Sequence, residues 1–310
     1  MVRAALRPRP AARGAAVIIA MLVAALAATV AMAIAAEQQR WFAGVAARRD
    51  QVQAQSLAQA GVQWTRAILR EDQVEGGGDV DDLGEPWALP LPPTPLEHGS
   101  IEGRIVDAQG LLNVNNVLVG DTQGDVTRAG LLRLFAARGA DPAAVSTLTA
   151  YVGPAPERTG DDDWYARQPS PYLPPHGELM RVAELAAVRG FDDATLARVL
   201  PYLAALPHGT PLNVNTAPPL VLAAVFGGVT DATLATLVEQ RVRQPFSSIA
   251  DLRARLPQGI ALPDERALAV KSSWFLVTVR ARQGDSVAQA RALLHRRVEG
   301  WPLVVWQTIE

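Results

Sequence analysis

The side chains that could bind a metal ion concentrate in two acidic clusters. One lies within residues 79–82, and the other consists of Asp161, Asp162 and Asp163. Carboxylate oxygens are the ligands that Ca²⁺ prefers in proteins, although neither cluster has the ligand spacing of an EF-hand loop. Asp161, Asp162 and Asp163 are therefore candidate calcium ligands, and a solvated acidic loop is the alternative interpretation.

No set of residues has the spacing of a known catalytic site. The chain has no cysteine, which excludes thiolate nucleophiles and cysteine-ligated metals. The HExxH, GxSxG, Walker and GxGxxG motifs are absent. The histidines are scattered along the chain, and we interpret them as surface or structural residues: His98, His176, His208 and His295. The sequence therefore predicts a protein that is not an enzyme.

The charge of most of the chain argues against nucleic acid as a ligand. The formal net charge is −2. The first 14 residues contain four arginines and no acidic residue, so the remainder carries a net charge of −6. A protein that binds through phosphate groups normally presents an excess of lysine and arginine. We therefore expect no nucleic-acid partner.

The N-terminus predicts a membrane helix. Residues 15–36 form an apolar run, roughly 33 Å long as a helix, that only Thr29 interrupts. Three interpretations are open: a signal peptide cut after the small residues near position 35, an uncleaved signal anchor, or a leader cleaved between Gly14 and Ala15. The basic flank keeps the N-terminus in the cytoplasm and places the rest of the chain outside.

The helical pattern continues beyond the apolar run to about residue 70. Trp41, Val45 and Val52 fall near one face, with arginine, glutamine and aspartate between them. A continuous helix of this length would extend roughly 84 Å. The alternative is two helices with a break near Gly44 or Gly61, although a glycine costs only about 1 kcal/mol inside a helix.

A short motif occurs twice, one hundred residues apart. Residues 111–116 (LLNVNN) are echoed by residues 211–216 (PLNVNT), and each copy precedes an apolar helical segment. Two copies are too few for a solenoid, so the pattern predicts two related helical units in tandem. We expect the last two residues of each copy to cap the helix that follows, Asn115 with Asn116 and Asn215 with Thr216.

The periodicity predicts four helices in each unit. In the first they lie near residues 129–138, 143–151, 180–188 and 193–203. In the second they lie near residues 218–226, 231–243, 249–256 and 264–270. A polar loop over residues 153–175 is expected to carry the second acidic cluster.

Strands flank this helical region on both sides. Residues 100–106 alternate as a strand, and residues 274–309 form three segments separated by turns at Gly284 and Gly300. The four prolines of residues 86–93 predict an extended surface stretch. We expect the first strand to join the C-terminal meander. The helical region is then an insertion into a sheet, and the fold class is α+β.

In their order along the chain, these features resemble the general secretion pathway protein K family, the K-type minor pseudopilins of type II secretion. No single segment is specific, but the joint order is typical of the family and spans nearly the whole chain. The segments are the leader end Arg13-Gly14, Glu85-Pro86-Trp87, residues 105–115 (IVDAQGLLNVN), residues 212–218 (LNVNTAP) and the terminal strands.

The resemblance implies a fold and a division of the chain. The family has a pilin-like antiparallel sheet head that is interrupted by a large all-α insertion of two SAM-like units. The implied divisions are a prepilin leader at 1–14, a transmembrane helix at 15–36, and an extended helix with the first part of the head at 37–108. The two SAM-like units would occupy 109–206 and 207–271, and the last strands of the head 272–310.

The resemblance also implies a function. K-type proteins lie at the tip of the periplasmic pseudopilus and start or cap the fibre for protein export across the outer membrane. The implied partners are pseudopilins I and J, the major pseudopilin, the prepilin peptidase and the inner-membrane secretion platform. The chain would cross the bacterial inner membrane once, with most of its residues in the periplasm. The peptidase would cut after Gly14, and Ala15 would become the methylated N-terminus.

Ile19 is typical of this particular family among pilin-like proteins. Most pilin-like subunits have glutamate at that position, where it pairs with the N-terminal amine of a neighbouring subunit. An unpaired charge in an apolar environment is costly, so a subunit with nothing above it has no use for the glutamate. Ile19 therefore indicates a tip position.

The resemblance adds two expectations about binding. The exposed apolar face of Trp41, Val45 and Val52 should pack against the helices of partner subunits. Some K-type proteins bind calcium in the helical domain, which keeps residues 161–163 as candidate Ca²⁺ ligands. No other cofactor is expected.

An alternative function comes from membrane-anchored DNA receptors of competence systems. Residues 213–217, Arg241 and residues 245–252 are similar to their helix-hairpin-helix domain. The stretch that would bind phosphate, residues 226–231, lacks the usual Gly-hydrophobic-Gly hairpin and contains an acid. Residues 211–271 carry six basic and five acidic side chains, whereas a DNA-binding version should be distinctly basic.

Overall fold

A single long helix begins the chain in the computed structural model, which describes residues 13–75, 79–154, 160–257 and 259–310. Helix α1 (Arg13–Glu75) has 63 residues, so it is about 94 Å long. It runs without interruption through Gly44 and Gly61, so the alternative interpretation of two helices is wrong. Its N-terminal part is apolar and exposed on all sides, and it is long and apolar enough to cross a membrane.

Two strands and then a helical region follow α1. The strands are β1 (Leu91–Leu96) and β2 (Gly99–Asp107). The α-helices of the region are α2 (Thr122–Ala137), α3 (Ala143–Val152), α4 (Gly160–Ala166), α5 (Asp193–Val199), α6 (Pro219–Phe226), α7 (Asp231–Arg243) and α8 (Ile249–Arg255). Two pairs of very short parallel strands lie among them, β3 (Leu112–Asn113) with β4 (Leu203–Ala204), and β5 (Leu212–Asn213) with β6 (Leu268–Ala269).

Three C-terminal strands complete a five-stranded antiparallel sheet. They are β7 (Trp274–Gln283), β8 (Ser286–His295) and β9 (Leu303–Ile309). The strand order is β1-β2-β7-β8-β9. Strand β2 pairs with β7 along its whole length, although the helical region separates the two strands in sequence. The prediction that the strand near residue 100 joins the C-terminal meander is confirmed, and the helical region is an insertion between β2 and β7.

Small residues bring α1 close to one face of the sheet. Ala54 and Ala58 are completely buried on the helix, and Ala290 is completely buried opposite them on β8. A Cβ built on Gly61 would lie 2.6 Å from Cγ1 of Val279, a distance that real Cβ contacts do not show. Glycine at position 61 therefore sets how closely the helix approaches the sheet.

The other face of the sheet meets the insertion near one end. Leu293 of β8 is buried there with Ala204 and Leu206 of the insertion, and Trp274, Leu276 and Trp306 pack around them. The insertion has its own larger core, which includes Leu131, Leu134, Phe135, Leu148, Leu222 and Phe246. The described residues therefore form one core between α1 and the sheet, a second inside the insertion, and a small third cluster where the sheet and the insertion meet.

Several predicted elements differ in the structure. Residues 180–188 and 264–270, which we predicted as helices, contain no α-helix. The first contains the 3₁₀ segment Val182–Ala187, and the second contains the 3₁₀ segment Glu265–Ala267 followed by strand β6. The predicted polar loop of residues 153–175 contains α4. The proline-rich stretch of residues 86–93, which we predicted as extended and on the surface, begins with the 3₁₀ segment Pro86–Ala88, in which Trp87 is buried, and continues into β1. The prolines of β1 are tolerated because it is an edge strand.

Helix α2 begins earlier than the prediction of residue 129. It starts at Thr122, where the side chain of Asp121 accepts a hydrogen bond from Gln123 N. Helix α5 ends at Val199 instead of continuing to residue 203, because Pro201 follows it and cannot donate to the helical ladder.

Candidate partner interface and polar junction

A buried carboxylate holds together the two points where the insertion leaves and rejoins the sheet. Asp107 Oδ2 accepts hydrogen bonds from Ser272 Oγ at 2.6 Å, Thr216 Oγ1 at 2.6 Å and Asn213 Nδ2 at 3.0 Å. Its Oδ1 accepts from Gln109 N at 2.8 Å. Asp107 is only 4% exposed, and this burial raises its pKa to about 6. We call Asp107, Asn213, Thr216 and Ser272 the polar junction.

A buried ion-pair network connects the end of α1 to the polar junction. Arg296, which follows β8, donates from Nη1 to Asp72 Oδ2 at 2.6 Å and from Nη2 to Asp81 Oδ1 and the Ser272 carbonyl. Asp81 Oδ2 accepts from Ser272 N at 2.7 Å, and the Asp81 carbonyl accepts from Asn213 Nδ2 at 3.1 Å. The three side chains are at most 9% exposed, and the guanidinium of Arg296 offsets part of the charge of the two carboxylates. The helix, the sheet and the insertion are therefore tied by one connected network.

Three carboxylates gather in this network. Oxygens of Asp72, Asp81 and Glu85 lie within 4.8 Å of one another. Burial raises the pKa of Glu85 to about 7 and also raises the pKa of Asp72 above its ordinary value. The guanidinium of Arg296 pairs with two of the three carboxylates. We therefore interpret the cluster as a structural ion-pair network.

The repeated sequence motif forms two equivalent brackets. In the first copy, Asn115 accepts from Leu179 N at 2.9 Å and donates to the Leu179 carbonyl at 2.9 Å. In the second copy, Asn215 accepts from Phe246 N at 2.9 Å and donates to the Phe246 carbonyl at 3.0 Å. Each asparagine thus pairs its amide with the backbone of one distant residue, and each copy begins with a short parallel strand.

The predicted capping role of these residues is wrong. The side chains that accept from the N–H two residues along the chain are those of Asn113 and Asn213, the first asparagine of each copy. Helix α6 begins after Pro218, which makes no side-chain cap. The predicted caps bind distant groups of the chain, and all four are buried: Asn115, Asn116, Asn215 and Thr216.

The apolar face predicted on α1 is exposed to solvent. Trp41, Val45 and Val52 are 64%, 46% and 61% exposed, and at 100° per residue they fall within about 40° of one another around the helix axis. The sheet first reaches the helix near Ala47, whose carbonyl accepts from Ser286 Oγ at 3.5 Å. We call Trp41, Val45 and Val52 the helix stripe. An exposed apolar stripe beside a folded head is typical of a surface that another helix covers.

The predicted processing residues lie at the start of α1. Gly14 and Ala15 are in its first turn, and Ile19 follows one turn later with an exposed side chain. Cleavage between Gly14 and Ala15 and the tip-specific role of Ile19 stay predictions.

The candidate calcium residues lie on α4, and two of them face different side chains. Asp162 is buried, with Oδ1 3.5 Å from Nε2 of His176, whereas Asp163 Oδ2 lies 3.4 Å from Nη2 of Arg167. The side chain of Asp161 lies outside the described residues. Consecutive helical positions point about 100° apart, so the fit of this helix to one Ca²⁺ is poor. Calcium binding by these residues stays a prediction.

The other histidines make ordinary structural or surface contacts. His98 is exposed beside Glu97, and His208 pairs with Glu178. His295 stacks on Trp274, with ring centroids 4.3 Å apart.

Arg241, which contributed to the resemblance to DNA receptors, is buried. Its Nη1 donates to the carbonyls of Val214 at 2.8 Å and Ala217 at 2.7 Å. Burial lowers its pKa to about 10. A guanidinium that bonds to backbone carbonyls inside the fold does not present a charge to a phosphate backbone.

Comparison with known proteins identifies the family. A family model described as type II secretion system (T2SS), protein K, matches residues 110–208, and a second of the same description matches residues 212–271. Type II secretion system protein K of Pectobacterium carotovorum subsp. carotovorum is 31% identical over 303 residues, which cover 91% of this chain and 92% of that protein. The chain belongs to the type II secretion system protein K family.

Further comparisons agree with the family. Type II secretion system protein K of Pseudomonas aeruginosa is 29% identical over 93% of this chain and 90% of that protein. The protein K of Klebsiella pneumoniae is 29% identical over 92% of this chain. A chain of the crystal structure of the GspK-GspI-GspJ complex from the type 2 secretion system of enterotoxigenic Escherichia coli has the same fold. Its TM-score is 0.71 at 20% identity, covering 86% of this chain and 99% of that one.

Membership of the protein K family makes the chain a minor pseudopilin of type II secretion. The polar junction was missed by reasoning from the sequence, because its members come from three separated segments. The repeated motif was the available signal, since Asn213 and Thr216 belong to its second copy. Asp107 also lies within the segment IVDAQG that carried the resemblance.

Proposed function

We propose that this minor pseudopilin lies at the tip of a type II secretion pseudopilus, where it starts or caps the fibre. The observation that carries the proposal is the position of the insertion. Strand β2 ends at Asp107 and β7 begins at Trp274, so the insertion joins the sheet at that end. The opposite end of β7 lies beside the lower part of α1, because a Cβ on Gly284 would be 2.6 Å from Asp50 Oδ2. The insertion therefore extends the head at the end distant from the membrane segment.

A large insertion at that end would occupy the space where a further subunit stacks. Ile19 supports the same conclusion, because it supplies no carboxylate for the N-terminal amine of a subunit above. Tip placement therefore accounts for two independent features of the chain.

The division of the chain is part of the proposal. The insertion consists of two SAM-like units at 109–206 and 207–271, on a head formed by 37–108 and 272–310. The two asparagine brackets and the two short parallel strand pairs support two related units. The segment 1–14 is a prepilin leader, and residues 15–36 anchor the protein in the bacterial inner membrane with the rest in the periplasm.

Pseudopilins I and J are the proposed direct partners. The solved chain with the same fold belongs to a complex of that composition, and the helix stripe offers a surface for a partner helix. The major pseudopilin, the prepilin peptidase and the inner-membrane secretion platform are the further proposed partners. The peptidase would leave a mature chain that starts at Ala15, which the intact mass of the membrane-extracted protein tests.

Labelling of assembled fibres tests the tip position. A tag on the insertion should appear at one end of each pseudopilus, and Ile19→Glu should give no gain in incorporation because no amine lies above it. Label repeated along the fibre would contradict the capping mechanism even though the family assignment stands.

A further inference from the structure

The two edges of the sheet are protected differently. Strand β1 contains Pro92, Pro93 and Pro95, and a proline has no N–H with which to bind another strand. Strand β9, at the opposite edge, has neither a proline nor a charged residue from Leu303 to Ile309. Within the described residues, no strand pairs with the outer side of β9. Natural proteins usually protect such an edge with charge, proline or a covering element.

The outer side of β9 presents free backbone groups. Gln289 and Glu310 exchange two backbone hydrogen bonds, at 2.8 and 2.9 Å. Antiparallel ladders alternate between hydrogen-bonded and non-hydrogen-bonded pairs, so the N–H and C=O groups of Gln307 and Ile309 point outward. These groups have the spacing that an added strand requires.

The side chains around this edge are apolar and exposed. Trp301, Leu303, Val305 and Ile309 are 54%, 43%, 40% and 36% exposed. Val305 lies where the register between β8 and β9 shifts. We call the outer side of residues 303–309 the β9 edge. An uncharged apolar edge of this kind is a ready template for pairing with a strand of another chain.

The β9 edge lies on the same flank of the molecule as the helix stripe. Arg66 Nε donates to the Pro302 carbonyl, just before β9, at 2.7 Å. At 100° per residue, Arg66 falls within about 60° of the stripe residues around the axis of α1. One partner subunit can therefore contact the stripe with its helix and β9 with its head.

We propose that the β9 edge accepts an extended strand from the neighbouring pseudopilin whose helix packs on the helix stripe. The added strand bonds to the backbone of Gln307 and Ile309 and packs apolar side chains on Leu303 and Val305. This inference rests on the proposed function, because the neighbour is a subunit of the same fibre. A second copy of the chain fits less well. Antiparallel pairing of two β9 strands would point their α1 helices in opposite directions, and the two anchors could not enter one membrane from the same side.

The test uses the full-length chain, purified in detergent alone and after co-expression with pseudopilins I and J of its own secretion system. Amide hydrogen exchange in the peptide 303–310 should be at least about tenfold slower in the complex. Gln307→Pro removes one outward N–H, and Val305→Lys places a charge on the edge. Each should reduce recovery of the contacting partner about tenfold, as expected for the loss of one or two hydrogen bonds and their apolar contacts.

Leu96→Lys is the matched control for Val305→Lys, because it places a charge on the opposite edge strand at a side chain of the same exposure, 39% against 40%, and it should leave recovery within about twofold. The thermal midpoint of each variant reports folding, and Val305→Lys carries the test if Gln307→Pro unfolds. The inference is overturned if the wild-type complex forms but exchange at 303–310 is unchanged. It is also overturned if a cysteine placed at Leu303 cross-links two copies of this chain. If the wild-type chain recovers neither partner, the proposed function fails with it.

Discussion

Single buried polar residues decide how the insertion is held on the sheet. Asp107 accepts four hydrogen bonds from residues that are distant in sequence or lie at the start of the insertion. A carboxylate suits this position because two oxygens offer several acceptor sites in a small volume. Replacement by an apolar residue would leave buried donors without partners, at a cost of about 1–3 kcal/mol for each unsatisfied group. The junction is therefore rigid only while this carboxylate is present.

The ionisation of Asp107 and Glu85 is expected to lower the stability of the fold as pH rises from about 5 to about 8, whereas His295, whose pKa is lowered by burial, acts in the opposite direction. Burial raises the folded-state pKa of Asp107 to about 6 and that of Glu85 to about 7, whereas both lie near 4 in an unfolded chain. The folded state then binds more protons than the unfolded state across this range. The stability contributed by the raised pKa is complete below about pH 4 and is lost as pH rises through 6 and 7.

Urea unfolding followed by tryptophan fluorescence measures this slope. Glu85→Gln should flatten the upper part of the pH dependence, because it removes the carboxyl with the higher pKa. Asp79→Asn is the control, since Asp79 is an exposed carboxylate of the same segment. The same pH dependence in Glu85→Gln and in the wild-type chain would contradict the raised pKa of Glu85.

At the scale of elements, long apolar patterns predicted helices and strands correctly. Segments whose conformation depends on tertiary contacts were predicted poorly. Helix α1 and strands β7 to β9 follow long apolar patterns, and the structure has them where the patterns lie. Residues 180–188 have a helical pattern, yet they form a 3₁₀ segment because the surrounding core, including Leu179 and its bracket with Asn115, fixes their path. Strand β1 could not be predicted from its prolines, since only its edge position makes them acceptable.

Gly61→Ala should destabilise the head, whereas Gly44→Ala should not. A Cβ at position 61 would lie 2.6 Å from Val279 Cγ1 and 3.1 Å from Ile101 Cδ1, so the helix or these side chains must move. Overpacking of this kind costs about 1–3 kcal/mol. No atom lies within 4 Å of a Cβ at Gly44, where alanine gains up to about 1 kcal/mol of helix propensity. Chemical denaturation of the two variants compares the effects, and equal stability would show that the packing of α1 on the sheet is loose.

Val45→Asp or Val52→Asp should weaken binding to pseudopilins I and J without unfolding the head. The helix stripe is exposed in the isolated chain, so a charge there costs little until a partner helix buries it. Ala46→Asp is the matched control, because it is exposed at the same depth but about 100° away around the axis. Co-purification is the measurement, with the thermal midpoint as the check on folding. Equal losses in all three variants would indicate a general effect on the helix and not a specific stripe.

The whole molecule combines a long N-terminal helix, a sheet and an insertion at the end of the sheet distant from the apolar part of that helix. The order of segments in the sequence predicted the insertion between two strands of one sheet, because a lone strand pattern before the helices needed partners after them. The sequence could not show which end of the sheet carries the insertion. That direction depends on contacts such as Asp50 with the Gly284 turn and Arg296 with Asp72, which join residues more than two hundred positions apart.

The part of the chain after residue 36 should show no salt-dependent binding to duplex DNA at moderate ionic strength. Residues 15–310 carry a net charge of −6, and Arg241 bonds to backbone carbonyls inside the fold. Few phosphates can then be neutralised and few counterions released, so the electrostatic contribution to affinity is small.

Fluorescence anisotropy with a labelled duplex, titrated at several salt concentrations, measures this directly. A basic helix-hairpin-helix protein under the same conditions provides the positive control. Micromolar binding that weakens steeply as salt increases would require a cationic surface on the folded protein. The DNA-receptor alternative would then regain support, and the tip proposal would have to explain why a fibre subunit binds phosphate. If the anisotropy changes are weak and independent of salt, the DNA-receptor alternative is not supported. The helix stripe and the β9 edge are then the surfaces through which we expect the protein to bind its partners.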